Sequence, residues 1–299
     1  MRLSKFALPL AFSLALAGAA AAQEPVNEIE GVTVTPDKPL TPRERVTTFS
    51  EKVPGGQFPV WVRPICPLTL GLGVDKTTYV SARIRQLAEQ TGLKYGGEGC
   101  RVNVIVLFSN EPEVLLTKLR KKRINLYGST QRSKVNRFIE QDRAVRLITL
   151  TSEAPARGVS ASAMMADVGS GAPEFSTSNP SRMRPMTFNT MDRMILVVDA
   201  RLAEGLKIKT LGSYIAMSAL TRPNQHMDQT GRDTIMSIFN SEGRTNAPIE
   251  DLTAWDEAYL KALYTVDPRQ RLSAQIGGMV REIDKQLNPK SPAPKRQPA

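Results

Sequence analysis

Histidine is nearly absent: His226 is the only one in 299 residues, and the cysteines number two, Cys66 and Cys100. A catalytic zinc needs about three protein ligands, so one imidazole beside a carboxylate such as Asp228 would hold a metal only weakly, and no cofactor is expected. A Ser-His-acid hydrolase would have to recruit His226 with one of many serines, Ser160, Ser162, Ser170 or Ser176 among them. The chain has no G-x-S-x-G turn to present such a nucleophile. Past the first 22 residues no apolar run approaches the roughly 20 residues that a membrane span requires, so the protein is not expected to span a membrane. Acidic residues are also scarce, 29 against 40 basic, which leaves a formal charge of +11.

What the chain does have begins at its first residue. MRLSK is basic, FALPLAFSLALAG is apolar, and Ala20, Ala21 and Ala22 are small residues before Gln23. That order is an export signal, expected to be cleaved after Ala22, with no cysteine there to carry a lipid. The mature protein is then periplasmic or secreted, with a formal charge of +9 once Arg2 and Lys5 are removed from +11. A basic exported protein is drawn to anionic envelope components such as lipid head groups or cell-wall polymers, and nucleic acid is not an expected partner in that compartment. In an oxidising compartment Cys66 and Cys100 are expected to form a disulfide, the other reading being two free thiols.

Residues 23–48 are Pro-rich and polar and read as a linker, and 287–299 read as a disordered tail. Between them, 49–286 form one globular domain. Residues 59–65 (PVWVRPI) read as a strand, and 75–92 as a helix with Val80, Ile84, Leu87 and Ala88 on one face. Residues 102–108 are apolar on both faces, which predicts a central strand. Asn110 and Pro112 open a second helix, and 145–151 and 194–200 are further strands. The connection over 152–190 is long enough to be functional or disordered rather than idle. Residues 206–220 are apolar almost all round, as in a helix buried within a domain, and Thr221-Arg222-Pro223 ends it. Thr253 with Asp256 forms a capping pair before a helix whose apolar stripe is Leu252, Trp255, Tyr259 and Leu263. A last helix carries Ile276, Met279, Val280, Ile283 and Leu287 on one face. This order predicts an α+β domain with α/β-like layers, a mixed sheet packed by helices.

Other candidate chemistry is scattered. Asp167, Glu174, Asp192 and Asp199 show no spacing that marks a carboxylate pair, and Gly-Gly at 96–97 and 277–278 lacks a phosphate-loop context. Methionines Met164, Met165, Met183, Met186, Met191 and Met194 lie in or beside the long connection, either as a soft-metal or adaptable surface or as packing. The strongest positive feature is basic: Lys118, Arg120, Lys121, Lys122 and Arg123, continued by Arg132, Lys134 and Arg137. These either contact an anionic partner or form a solvated helix face.

The segment from Ile208 to Tyr264 resembles the metzincin-like zinc peptidases. It holds a buried helix, a turn Ile235-Met236-Ser237 like their Met-turn, and the closing helix Leu252–Tyr264. More narrowly the chain is similar to uncharacterised exported bacterial proteins related to those peptidases. The family carries H-E-x-x-H on the buried helix so that histidines at i and i+4 grip zinc. Here Gly212–Ser218 contains no His, Glu, Asp or Cys. The resemblance therefore implies a zincin-like frame without catalysis, in which Met236 is a hydrophobic floor. It also implies a cleft that binds a peptide or protein by strand addition to an edge strand at Met194–Ala200, with Leu196, Val198, Tyr214 and His226 as contacts.

Overall fold

The computed structural model describes residues 39–53, 56–122, 126–128, 130–155, 185, 187–240 and 243–289. The leader, most of 23–48, Arg123, the serines at 160–176, Asp167, Glu174, Met164, Met165, Met183 and Met186 lie outside the described residues. So do residues 290–299 of the expected tail.

Residues expected to end a linker instead form a helix, α1 (Pro42–Phe49). Thr41 and Glu44 close a capping box, and Pro42 sits in the first turn, where its missing N–H costs nothing. Val46 and Phe49 are buried, Phe49 against Trp255 and Tyr259. Residues 59–65 are not a strand: Val60 and Ile65 make only isolated bridges, and the first strand is β1 (Pro67–Leu70). Then come α2 (Val74–Gln90), β2 (Val104–Ser109), α3 (Pro112–Lys121), α4 (Arg132–Glu140), β3 (Val145–Pro155) and β4 (Thr187–Asp199). The chain continues through α5 (Ile208–Thr221), a 3-10 turn (Ile235–Ile238), the short pair β5 (Phe239–Asn240) and β6 (Gly243–Arg244), α6 (Ala254–Thr265) and α7 (Leu272–Leu287).

The fold is α+β. Four strands form a mixed sheet in the order β1-β2-β4-β3, with β1, β2 and β4 parallel and β3 antiparallel to β4. A bulge at Leu150/Thr151 shifts the β3–β4 register. Because side chains alternate along a strand, the sheet feeds two cores. Val104, Val106, Phe108, Met194, Leu196 and Val198 meet α2 and α5 on one face. Leu107, Ile148, Ile195 and Val197 meet Leu116 of α3 and Phe138 and Ile139 of α4 on the other.

The placement of β4 corrects an expectation. Met194–Ala200 is not an edge: β4 lies between β2 and β3, and Leu196 and Val198 are completely buried. Their backbone groups are committed to two neighbours, so they cannot receive an added strand. Among the described residues the edges are β1 and β3.

Helix α5 is buried along almost its whole length, and its last carbonyls need partners from outside the helix. The Trp61 indole N–H donates to the Ala219 carbonyl at 2.9 Å, the Tyr264 hydroxyl to Leu220 at 2.6 Å, and the Ser50 hydroxyl to Thr221 at 2.8 Å. α5 is thereby fixed by α6 and by the segments on either side of Gln57, and everything that follows it starts from a rigid point. Cys66 and Cys100 form a disulfide, with Cα atoms 6.0 Å apart. Among the described residues no helix is long and apolar enough to cross a membrane.

Candidate functional site

A cleft opens where α5 ends, between β3, the loop after α5 and the 3-10 turn. It is lined by Arg143, Val145 and Leu147 on the β3 side, Tyr214 on α5, Gln225 and His226 in the loop, and Met236 and Phe239 below.

The floor is built from a buried carboxylate. Asp256 accepts hydrogen bonds from the Thr234 hydroxyl at 2.5 Å, the Ile235 N–H at 2.7 Å and the Thr253 N–H at 3.0 Å. One side chain thus caps α6 and holds the start of the 3-10 turn, which sets Met236 beneath α5. The Ser218 hydroxyl donates to the Met236 sulfur at 3.8 Å. Four residues earlier on the helix, Tyr214 meets Phe239 edge to face, with ring centroids 5.1 Å apart. Burial pushes the Tyr214 phenol above the ordinary tyrosine range, against the opposing pull of Arg143. It is therefore neutral near pH 7 and acts as a hydroxyl, not a phenolate.

The wall is the loop 223–229. Arg222 takes the left-handed conformation at φ 51°, uncommon for a side chain with a Cβ, and its surroundings hold it there. Its carbonyl accepts from the Glu51 N–H at 3.0 Å, and its guanidinium reaches the Glu51 carbonyl and carboxylate. Pro223 then bars any continuation of α5. From this pinned start Gln225 extends to the free edge of β3. Its carboxamide oxygen accepts from the Leu147 N–H at 3.2 Å, and its amide nitrogen donates to the Leu147 carbonyl at 3.1 Å. The Asp199 N–H bonds the Ala144 carbonyl at 2.8 Å, so alternate residues of this segment face β4, while Leu147 presents its backbone outward.

His226 is exposed, and its backbone N–H donates to the Asn224 side chain at 3.1 Å. The Asp228 carboxylate is occupied by Thr230, accepting from its N–H and hydroxyl, and those bonds hold its pKa below the usual range. Among the described residues no three His, Cys, Asp or Glu side chains gather to hold a metal.

Of the expected contacts, Tyr214 and His226 share this cleft and Leu196 and Val198 do not. Lys118, Arg120, Lys121 and Lys122 lie elsewhere, on α3 and its C-terminal cap. Gln225 and Arg143 carried no local signal in the sequence. Asp256 did, as the partner of Thr253 in the capping pair. No protein-family model, no curated protein and no solved structure matches this chain.

Proposed function

We propose that the protein is an exported, non-catalytic binding protein on a zincin-like frame, and that it takes an extended peptide along the free edge of β3. The observation that carries this reading is the Gln225–Leu147 pair. A side-chain amide occupies both the donor and the acceptor that the peptide group of an added strand would use. This pairing supports strand addition at the edge, and the cleft beside it is lined by Tyr214, Met236 and Phe239, apolar surface for alternate side chains.

The disulfide, together with the signal-like leader, supports export. Tyr214 and Ser218 stand four residues apart above the floor, the spacing at which the resembled peptidases carry two histidines. A neutral phenol and a hydroxyl are not the imidazole, thiolate or carboxylate ligands that zinc requires.

The test is fluorescence polarisation with a panel of labelled, unstructured decapeptides. Gln225→Ala frees the Leu147 N–H and carbonyl and is expected to tighten binding by about threefold to tenfold, one or two net hydrogen bonds' worth. Tyr214→Ala is expected to weaken it. If neither the natural protein nor Gln225→Ala binds any peptide, the reading fails. Stoichiometric zinc that disappears on His226→Ala would overturn it in favour of a hydrolase.

A further inference from the structure

The exposed surfaces of α3 and α4 carry seven cations: Lys118, Arg120, Lys121 and Lys122 from one helix and its cap, and Arg132, Lys134 and Arg137 from the other. Among the described residues none of them enters an ion pair. Arg120 Nη1 donates to Asn136 Oδ1 at 2.6 Å, joining the end of α3 to the middle of α4. With a rise of about 1.5 Å per residue, Lys118, Lys121, Lys122, Lys134 and Arg137 all lie within about 3 Å of rise from that bond. The two helices therefore bring their cations to one level along their axes, and Leu116, Val135, Phe138 and Ile139 pack both on the sheet.

Helix stability accounts for only part of this charge. The cations at the C-terminal end of α3 suit the helix dipole, as does Arg137 in the last turn of α4, but Arg132 and Lys134 stand at the wrong end of α4. Its first turn contains Arg132 and Lys134, no acid and no side-chain cap, and it ends at Glu140. Cations at a helix N-terminus and an anion at its C-terminus both oppose the dipole. Nor does the patch converge on one small anion. The groove there is lined by Ser133, Asn136, Arg137, Glu140 and Gln141, of which only Arg137 is basic. The remaining cations are spread over two rigid helices, and Val114, 42% exposed, sits one turn before Lys118. Charges spread in this way suit many separate anionic headgroups better than a single anion.

We propose that the α3–α4 face is a docking surface for a phospholipid bilayer with acidic headgroups, a surface separate from the β3 cleft. Attraction of this kind is worth about fivefold in partitioning per basic residue and fades as salt shortens the screening length.

The experiment is co-sedimentation of the full chain with phosphatidylcholine vesicles, with and without phosphatidylglycerol, at low and high salt. The leader, with Arg2 and Lys5, is common to every variant, so the patch is read as a difference between variants at each salt concentration. Lys121→Glu with Lys134→Glu is expected to lower partitioning onto the anionic vesicles at least tenfold, and the Gln pair to give an intermediate loss. Lys261→Glu with Arg281→Glu makes the same change in net charge from exposed positions on α6 and α7 and is expected to have a far smaller effect. Equal losses from the two Glu pairs would overturn the proposal, leaving only a general effect of net charge. So would patch-dependent binding to soluble polyphosphate or RNA with none to vesicles.

Discussion

Asp251 shows how one side chain can tie three elements together. Its Oδ1 accepts from Arg83 of α2 at 2.6 Å, from Ser213 of α5 at 2.6 Å and from the Leu252 N–H at 2.8 Å, while Oδ2 meets Lys209 at 3.1 Å. Burial alone would raise its pKa. The bonds from Ser213, Leu252 and Lys209, with the charge of Arg83, outweigh that and lower it to about 2. A carboxyl depressed from 3.8 in this way stabilises the fold above pH 4 and loses that contribution as pH falls from about 4 towards 2. The full shift would correspond to about 2 kcal/mol, and water at this partly exposed group reduces it. Asp251→Asn is therefore expected to cost about 1–2 kcal/mol at pH 7, with roughly half of the gap closing by pH 3. Urea unfolding at the two pH values measures it. A gap that stays constant would mean the network acts by shape and not by charge.

At the scale of elements, α2 and α5 pack at a close approach that a glycine makes possible. A Cβ on Gly212 would sit 3.1 Å from Tyr79 Cε1 and 3.8 Å from Arg83 Cβ. The Tyr79 ring is 37% exposed and can yield. Gly212→Ala should therefore be near neutral, the crowding offset by a helix propensity gain of about 1 kcal/mol. Gly212→Val adds methyls that press on α2 and is expected to destabilise by about 1–3 kcal/mol. Denaturation midpoints decide, and equal stability of the two variants would show that the helices are not in tight contact.

This is also the scale at which legibility in the sequence varies. The buried helix, its stop at Arg222-Pro223, the capping pair at Thr253 and the last amphipathic helix could be read because each depends on neighbours within a few turns. α1 was obscured because Pro42 and a polar run imitate a linker, although Pro at the first turn of a capped helix is an ordinary start. α4 was obscured by its shortness and its charge, with Val135, Phe138 and Ile139 as its only buried side chains. The unbroken apolar run Met194–Val198 is the pattern of a strand covered on both faces, which is where the sheet places it, and not that of an edge. The Gln225–Leu147 contact joins residues 78 apart in the chain, so no local pattern could have disclosed it.

For the molecule as a whole, the disulfide decides how well the sheet holds its shortest strand. Cys66 directly precedes β1 and Cys100 lies four residues before β2, so the 34-residue separation encloses β1 and the whole of α2. β1 is only four residues long, pairs among the described residues with β2 alone and leaves Leu68 and Leu70 partly exposed, so strand pairing by itself secures it weakly. Closing a loop of that length removes unfolded-state entropy worth about 3–4 kcal/mol. Domains are commonly stable by about 5–15 kcal/mol, so this one bond is a large fraction of the total. Cys66→Ala with Cys100→Ala is expected to lower unfolding free energy by about 3–4 kcal/mol. Amide exchange should rise first in β1 and α2 and much less in β4 and α5, which sit at the centre of the main core. A uniform rise across the sheet would mean that β1–α2 is not a separable unit. Retention of full stability without the bond would remove the structural argument that this chain belongs in an oxidising compartment.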